Sequence, residues 1–148
     1  MPTALVVRAL ATLATLPPLL EAMDRLAKAC LAKGREFDPI IKSGRTHLQD
    51  ATPIRLGQEF TAYGHTVARH RAKLVEAARW VRALGIGGTA VGTGINAEPQ
   101  YPALMVKHLR EITGLELEVG EDRVQLMQSM GDIASFSGAL RAWVLDLN

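Results

Sequence analysis

"QEFTAYGHTVARHRAKLVEAARWVRAL", Gln58 to Leu84, decides the fold class. Phe60, Gly64, Val67, Leu74, Ala78 and Val81 recur alternately three and four residues apart, with Arg71 the one polar member of the series. That spacing keeps a single stripe of a helix facing a neighbour. At 1.5 Å per residue the helix would be about 40 Å long, so it needs partners of similar length.

Two further segments supply them. The first runs from about Thr3 to Lys33, with Leu13, Leu16, Leu20, Met23, Ala27 and Cys30 in register; Pro17 and Pro18 are expected to kink or split it. The second spans 122–148, starts at Asp122 as N-cap, and carries Leu126, Met130, Ile133, Ser137, Leu140, Val144 and Leu147. Its repeat is still in phase at "VLDLN", so the chain is expected to be cut there. A shorter helix at 100–113 is closed by Gly114, and "LELEV" at 115–119 suits a short extended connector. No other stretch alternates at period two. The expectation is all-α: a long-helix bundle, one partial domain over 1–148.

Composition agrees with a globular protein. The 148 residues are 48% hydrophobic, and 17 basic against 15 acidic side chains give a net charge of +2. So balanced a chain does not point to nucleic acid. The basic side chains of "ARHRAKLVEAARWVRALG" (Arg69, Arg71, Lys73, Arg79, Arg82) scatter around their helix instead of aligning. The apolar opening "MPTALVVRALATLATLPPLL" lacks a basic leader and is interrupted by Arg8, which favours a core helix over a signal or membrane segment. One cysteine and four scattered histidines form no metal-ligand set, which leaves a metal-free, cytoplasmic protein as the expectation. Cys30 is expected to be buried, Trp80 and Trp143 to anchor core or interface, and His65, His70 and His108 to lie on the surface.

Two irregular stretches remain. Gly85–Pro99, "GIGGTAVGTGINAEP", contains a nominal dinucleotide fingerprint. That motif requires a preceding strand, and here a long helix precedes it, which favours a glycine-rich connector able to pack closely or approach a small anion. The other, 38–57, is read as a loop around "GRTHLQDATP", which gathers Arg45, Thr46, His47, Gln49 and Asp50 between Gly44 and Pro53. Thr46, Gln49 and Asp50 could simply cap helix ends. Alternatively His47, able to exchange a proton near neutral pH, sits with donors from Arg45 and Thr46 around an anionic substrate. Residue types alone do not choose between these.

"SGRTHLQDATPIRLGQEF", followed about forty residues on by "GGTAVGTGIN", resembles the class II fumarase and aspartase family, and the opening "MPTAL" is similar to the family residues directly after its Ser-Ser-Asn-Asp or Ser-Thr-Asn-Asp substrate loop. The resemblance covers essentially the whole chain and implies the first half of a central helical domain. It further implies a homotetramer whose active sites each combine segments of three subunits, and a cofactor-free, reversible anti-elimination from a four-carbon dicarboxylate to fumarate. On this resemblance Thr46 matches a substrate-binding threonine. His47 matches the histidine at the leaving-group side and adjacent carboxylate, where other members carry glutamine. Arg45, Gln49 and Asp50 would support the loop. The family's serine-base segment, Gly-Ser-Ser-x-Met-Pro-x-Lys-x-Asn, has no counterpart in the 148 residues. "HLQDATP" and "GGTA" look like fumarases, where aspartases carry "DAVP" and "GATA"; "GEDRVQLMQ" lacks the fumarase-like "NKFEAL". Fumarate hydratase is the favoured member and aspartate ammonia-lyase the alternative, with a non-catalytic helical oligomerisation module as a reading of another class.

Overall fold

The computed structural model describes residues 2–147, and about two thirds of the chain is helix, an all-α architecture. Helix α1 (Pro2–Glu36) leads into a hairpin of β1 (Ile41–Thr46) and β2 (Gln49–Arg55), and α2 (Leu56–Trp80) runs back along α1. A two-residue strand, β3 (Ala83–Leu84), precedes the glycine-rich connector, α3 (Tyr101–Thr113) and β4 (Glu118–Val119); α4 (Arg123–Gln128) and α5 (Gly131–Leu147) follow.

The core is the α1–α2–α5 seam. Leu13, Leu16, Met23 and Ala27 of α1 are buried with Val67, Leu74 and Ala78 of α2, as the spacing of both segments requires. Cys30 is only half-buried. Arg71, the polar intruder in the α2 stripe, is accommodated because its Nε lies 2.8 Å from Asp24 Oδ1 on α1. The hydropathy of α1, 1.4 in its richest window, would also suit a membrane span. Only 11% of that window is buried; one side of α1 packs on α2 through Leu13, Leu16, Met23 and Ala27, and Asp24 pairs with Arg71.

Four expectations need correction. First, Pro17 and Pro18 do not split α1, which is one helix from Pro2 to Glu36. Each proline removes a hydrogen bond at a cost of about 3 kcal/mol, but both rings point to solvent while Leu13, Leu16 and Met23 stay packed. Second, α2 stops at Trp80 and not Leu84, because Ala83 and Leu84 pair in parallel with Glu118 and Val119. The "LELEV" connector thus becomes half of a small bridge.

Third, the segment 122–148 is two helices. Asp122 Oδ1 does cap α4, accepting from Gln125 N at 3.0 Å. Ser129 is extended (φ −90°, ψ 136°), however, and its Oγ accepts from Gly131 N at 3.1 Å to start α5. The inward stripe of α5 is Ile133, Phe136, Leu140 and Trp143, whereas Ser137, Val144 and Leu147 face outward. Fourth, most of the stretch 38–57 is not loop: Ile41–Thr46 and Gln49–Arg55 form an antiparallel hairpin, and Leu56 and Gly57 already belong to α2.

The hairpin's direction is fixed where α1 ends and α2 begins. A Cβ on Gly57 would overlap Gly34 O and stand 2.7 Å from Asp38 N and Cα. Only glycine lets the two backbones meet this closely. Leu56 N and Gly57 N then donate to Ile40 O and Phe37 O at 2.8 and 3.2 Å.

Candidate functional site

The residues singled out by sequence sit at the far end of this hairpin. Pairing runs from Ile41↔Arg55 to Gly44↔Thr52, then shifts to Arg45↔Asp50 and Thr46↔Gln49, leaving Ala51 as a bulge. Thr46 and Gln49 are thus the last pair, and His47–Leu48 forms a two-residue turn.

Both turn residues are left-handed, His47 at φ 50° and Leu48 at φ 61°. This is the mirror-image turn that matches strand twist and is normally filled by Asn-Gly. Placing non-glycine residues there costs about 1–3 kcal/mol each. The Leu48 side chain is 98% exposed, so its packing does not offset that cost.

Charge pairs brace the hairpin below the turn. Arg55 Nε donates to Asp38 Oδ1 at 2.9 Å, and Lys42 Nζ to Glu59 Oε1 at 2.7 Å, tying β2 to the turn that follows α1 and β1 to the first turn of α2. Nearer the tip, Arg45 Nε donates to Asp50 Oδ1 across the strands at 2.9 Å. That bond, with a second from Ser43, holds the Asp50 carboxyl below its ordinary 3.8. Arg45 is therefore engaged with Asp50. Thr46, His47 and Gln49 make no side-chain hydrogen bond among the described residues, and all three are exposed. None of Thr46, Gln49 or Asp50 caps a helix, the simpler role open to them from sequence.

The remaining candidates divide. His65 and His108 are exposed. His70 is 4% exposed, contrary to the surface expectation: its Nε2 lies 2.5 Å from Asp146 Oδ2 on α5 and its ring 5.6 Å from Trp143. Its position between Val67 and Leu74 was the available signal, masked by its polarity. Trp143 is core, but Trp80 is 63% exposed. Among the described residues no three His, Cys, Asp or Glu side chains gather as metal ligands. In the glycine-rich connector, close packing dominates: a Cβ on Gly92 would come within 2.6 Å of Val124 N.

The helical architecture matches that of the helical domain in fumarate lyase superfamily structures. A family model described as a lyase matches residues 1–148. Aspartate ammonia-lyase of Bacillus subtilis is 39% identical over 139 residues, covering 94% of this chain and 29% of that protein. Class II fumarate hydratase of the same organism is 40% identical over 146 residues, 99% of this chain and 31% of that protein. A crystal structure of a fumarate lyase:delta crystallin from Brucella melitensis, bound to cobalt, superposes with a TM-score of 0.91 at 41% identity, over 97% of this chain and 31% of that one. The chain belongs to the fumarase/aspartase family of lyases. It spans about three tenths of the length of the curated relatives it matches.

Proposed function

We propose that this chain supplies one active-site segment of an enzyme that catalyses reversible anti-elimination from a four-carbon dicarboxylate, releasing fumarate. The chemistry needs a base for a weakly acidic carbon-bound proton, donors for the carboxylate that gathers charge, and assistance to the leaving group. In this reading the Thr46 hydroxyl binds a substrate carboxylate, His47 serves the leaving-group side and the adjacent carboxylate, and no cofactor takes part. Arg45 and Asp50 hold the strands beneath them, and Gln49 closes the ladder.

One observation supports this most directly. A histidine is held in a costly left-handed turn, exposed and with no side-chain hydrogen bond among the described residues, above strands braced by ion pairs. Strain of that kind collects where a side chain must be presented to something else.

The favoured reaction is hydratase, L-malate to fumarate and water, on the strength of "HLQDATP" and "GGTA". The alternative is ammonia-lyase, L-aspartate to fumarate and ammonia. The hydratase reading brings with it a cytoplasmic homotetramer and a place in the tricarboxylic acid cycle. The test is turnover of both substrates by a polypeptide carrying this chain together with the segments its relatives have outside the matched region. Preference for malate supports the hydratase, preference for aspartate the alternative, and turnover of neither refutes the lyase proposal.

A second reading applies to the 148 residues alone. Val144, Leu145 and Leu147 face outward on the last turns of α5, and Ile112 on α3 is 80% exposed. Such apolar surface suits a helical oligomerisation module without catalysis.

A further inference from the structure

Little in the β1–β2 ladder itself fixes the register of its tip. Both faces of the hairpin are largely in solvent, and strands with no buried face slip by one residue at small cost. Pro53, opposite Ser43, has no N–H to contribute. The strands are close at Gly44↔Thr52, where a Cβ on Gly44 would stand 2.9 Å from Thr52 O, and beyond that pair Ala51 is left out of the ladder.

A second register is open to the tip. With Ala51 taken into the ladder, Arg45 would face Ala51 and Thr46 would face Asp50, leaving His47, Leu48 and Gln49 as a three-residue loop. Such loops are built from a type I turn followed by one left-handed residue. The observed turn needs two, His47 at φ 50° and Leu48 at φ 61°, so backbone strain favours the second register.

What opposes it lies on one face of the hairpin. Ser43 and Arg45, two apart on β1, share a face, and the bulge brings Asp50 directly opposite Arg45 on that face. Arg45 Nε donates to Asp50 Oδ1 at 2.9 Å, and Ser43 supplies the second bond. In the second register Asp50 would stand opposite Thr46, on the other face, and both bonds would be lost.

We propose that Asp50 is a positioning residue: by holding Ser43 and Arg45 it selects the bulged register, and that register keeps His47 left-handed at the turn. That this serves a substrate rests on the function proposed above; the register does not.

The test is NMR of the 148-residue chain. The parent should show left-handed couplings at His47 and Leu48 and cross-strand contacts between Arg45 and Asp50. Asp50→Ala removes both bonds. An exposed charged pair biases an equilibrium by up to about fivefold, so the shifted form, read as exchange at His47, Leu48 and Gln49 and as new Arg45–Ala51 contacts, should grow by about that factor. Ser43→Ala, which removes one bond, should do so by less, and Ile41↔Arg55 pairing should be untouched in both. Adding Leu48→Gly to Asp50→Ala should bring the bulged register back, because glycine carries no penalty at left-handed φ; a general loss of stability would not be rescued by a change at the turn. Unchanged pairing and no exchange in Asp50→Ala, or no recovery with Leu48→Gly, overturns the proposal. In the longer polypeptide, turnover lowered by Asp50→Ala and recovered with Leu48→Gly supports both claims, whereas unchanged turnover alongside a shifted register refutes the role of His47 and leaves the register standing.

Discussion

Replacing Gly57 by alanine is the sharpest perturbation of the fold, because it inserts one methyl group where α1, α2 and the hairpin converge. The added carbon would overlap Gly34 O and lie 2.7 Å from Asp38 N and Cα, against about 3.5–4.0 Å for an ordinary carbon contact. These neighbours are backbone, so no side chain can rotate away. The helices must separate by roughly 1 Å at this end. Overpacking of this kind costs about 1–3 kcal/mol, and the upper end applies where the obstacle is main chain. Alanine's advantage within a helix, about 1 kcal/mol at most, offsets part of it. A net loss of about 2 kcal/mol lowers Tm by about 4–8 °C for a chain of this size. The assay is thermal unfolding followed by circular dichroism, with Gly138→Ala as control. Gly138 lies on α5 with open space around its Cβ position, so that variant should gain up to about 1 kcal/mol. If Gly57→Ala stays within about 0.5 kcal/mol of the parent, the scale of an ordinary surface change, the close approach does not hold the hairpin.

At the hairpin tip, the Asp50 carboxyl should titrate below 3.8, and Arg45→Ala should return it towards that value by removing the largest cause. Because the folded value is depressed, the stability it contributes is fully present above pH 3.8 and lost as pH falls through the folded value; NMR titration of Asp50 checks both points. The pair is exposed on both sides, 68% and 71%, so Asp50→Asn should leave Tm nearly unchanged. The 148-residue chain by itself should not turn over L-malate or L-aspartate, since the serine-base segment is absent from it; ultraviolet assay of fumarate showing more than about 1 turnover per second would refute this. It should also self-associate through the outward apolar residues of α5, and light scattering showing a monomer at micromolar concentration contradicts that expectation.

Whether an element was legible depended on what encoded it. The α1 and α2 stripes were readable because burial forces a period, and Leu13, Met23, Val67 and Leu74 lie where the spacing puts them. The hairpin was not. With both faces largely in solvent it needs no alternation, and its turn uses His47–Leu48 instead of a glycine-bearing pair. The break between α4 and α5 escaped because Met130 keeps the heptad in phase across it, while the decisive feature, the Ser129 hydroxyl capping Gly131, is a single hydrogen bond. The end of α2 was set by long-range pairing of Ala83–Leu84 with Glu118–Val119, which no local pattern records. His70 was misplaced because polarity outweighed position: only the arrival of Asp146 and Trp143 from α5 makes its burial tolerable. The chemistry at the tip was legible as residue types, and its presentation in a strained turn was not.

The central claim is that His47 is held out of the hairpin to act on a substrate. It is tested most directly by His47→Asn in a longer polypeptide that carries this chain with the segments its relatives have outside it. Steady-state turnover should fall by roughly 10²-fold or more with the preferred substrate, the scale of losing a positioned proton carrier, while Tm is unchanged. Thr46→Val in the same background should act chiefly on KM. Turnover within about threefold of the parent with both malate and aspartate, far short of that scale, would contradict the account and leave the turn as scaffolding.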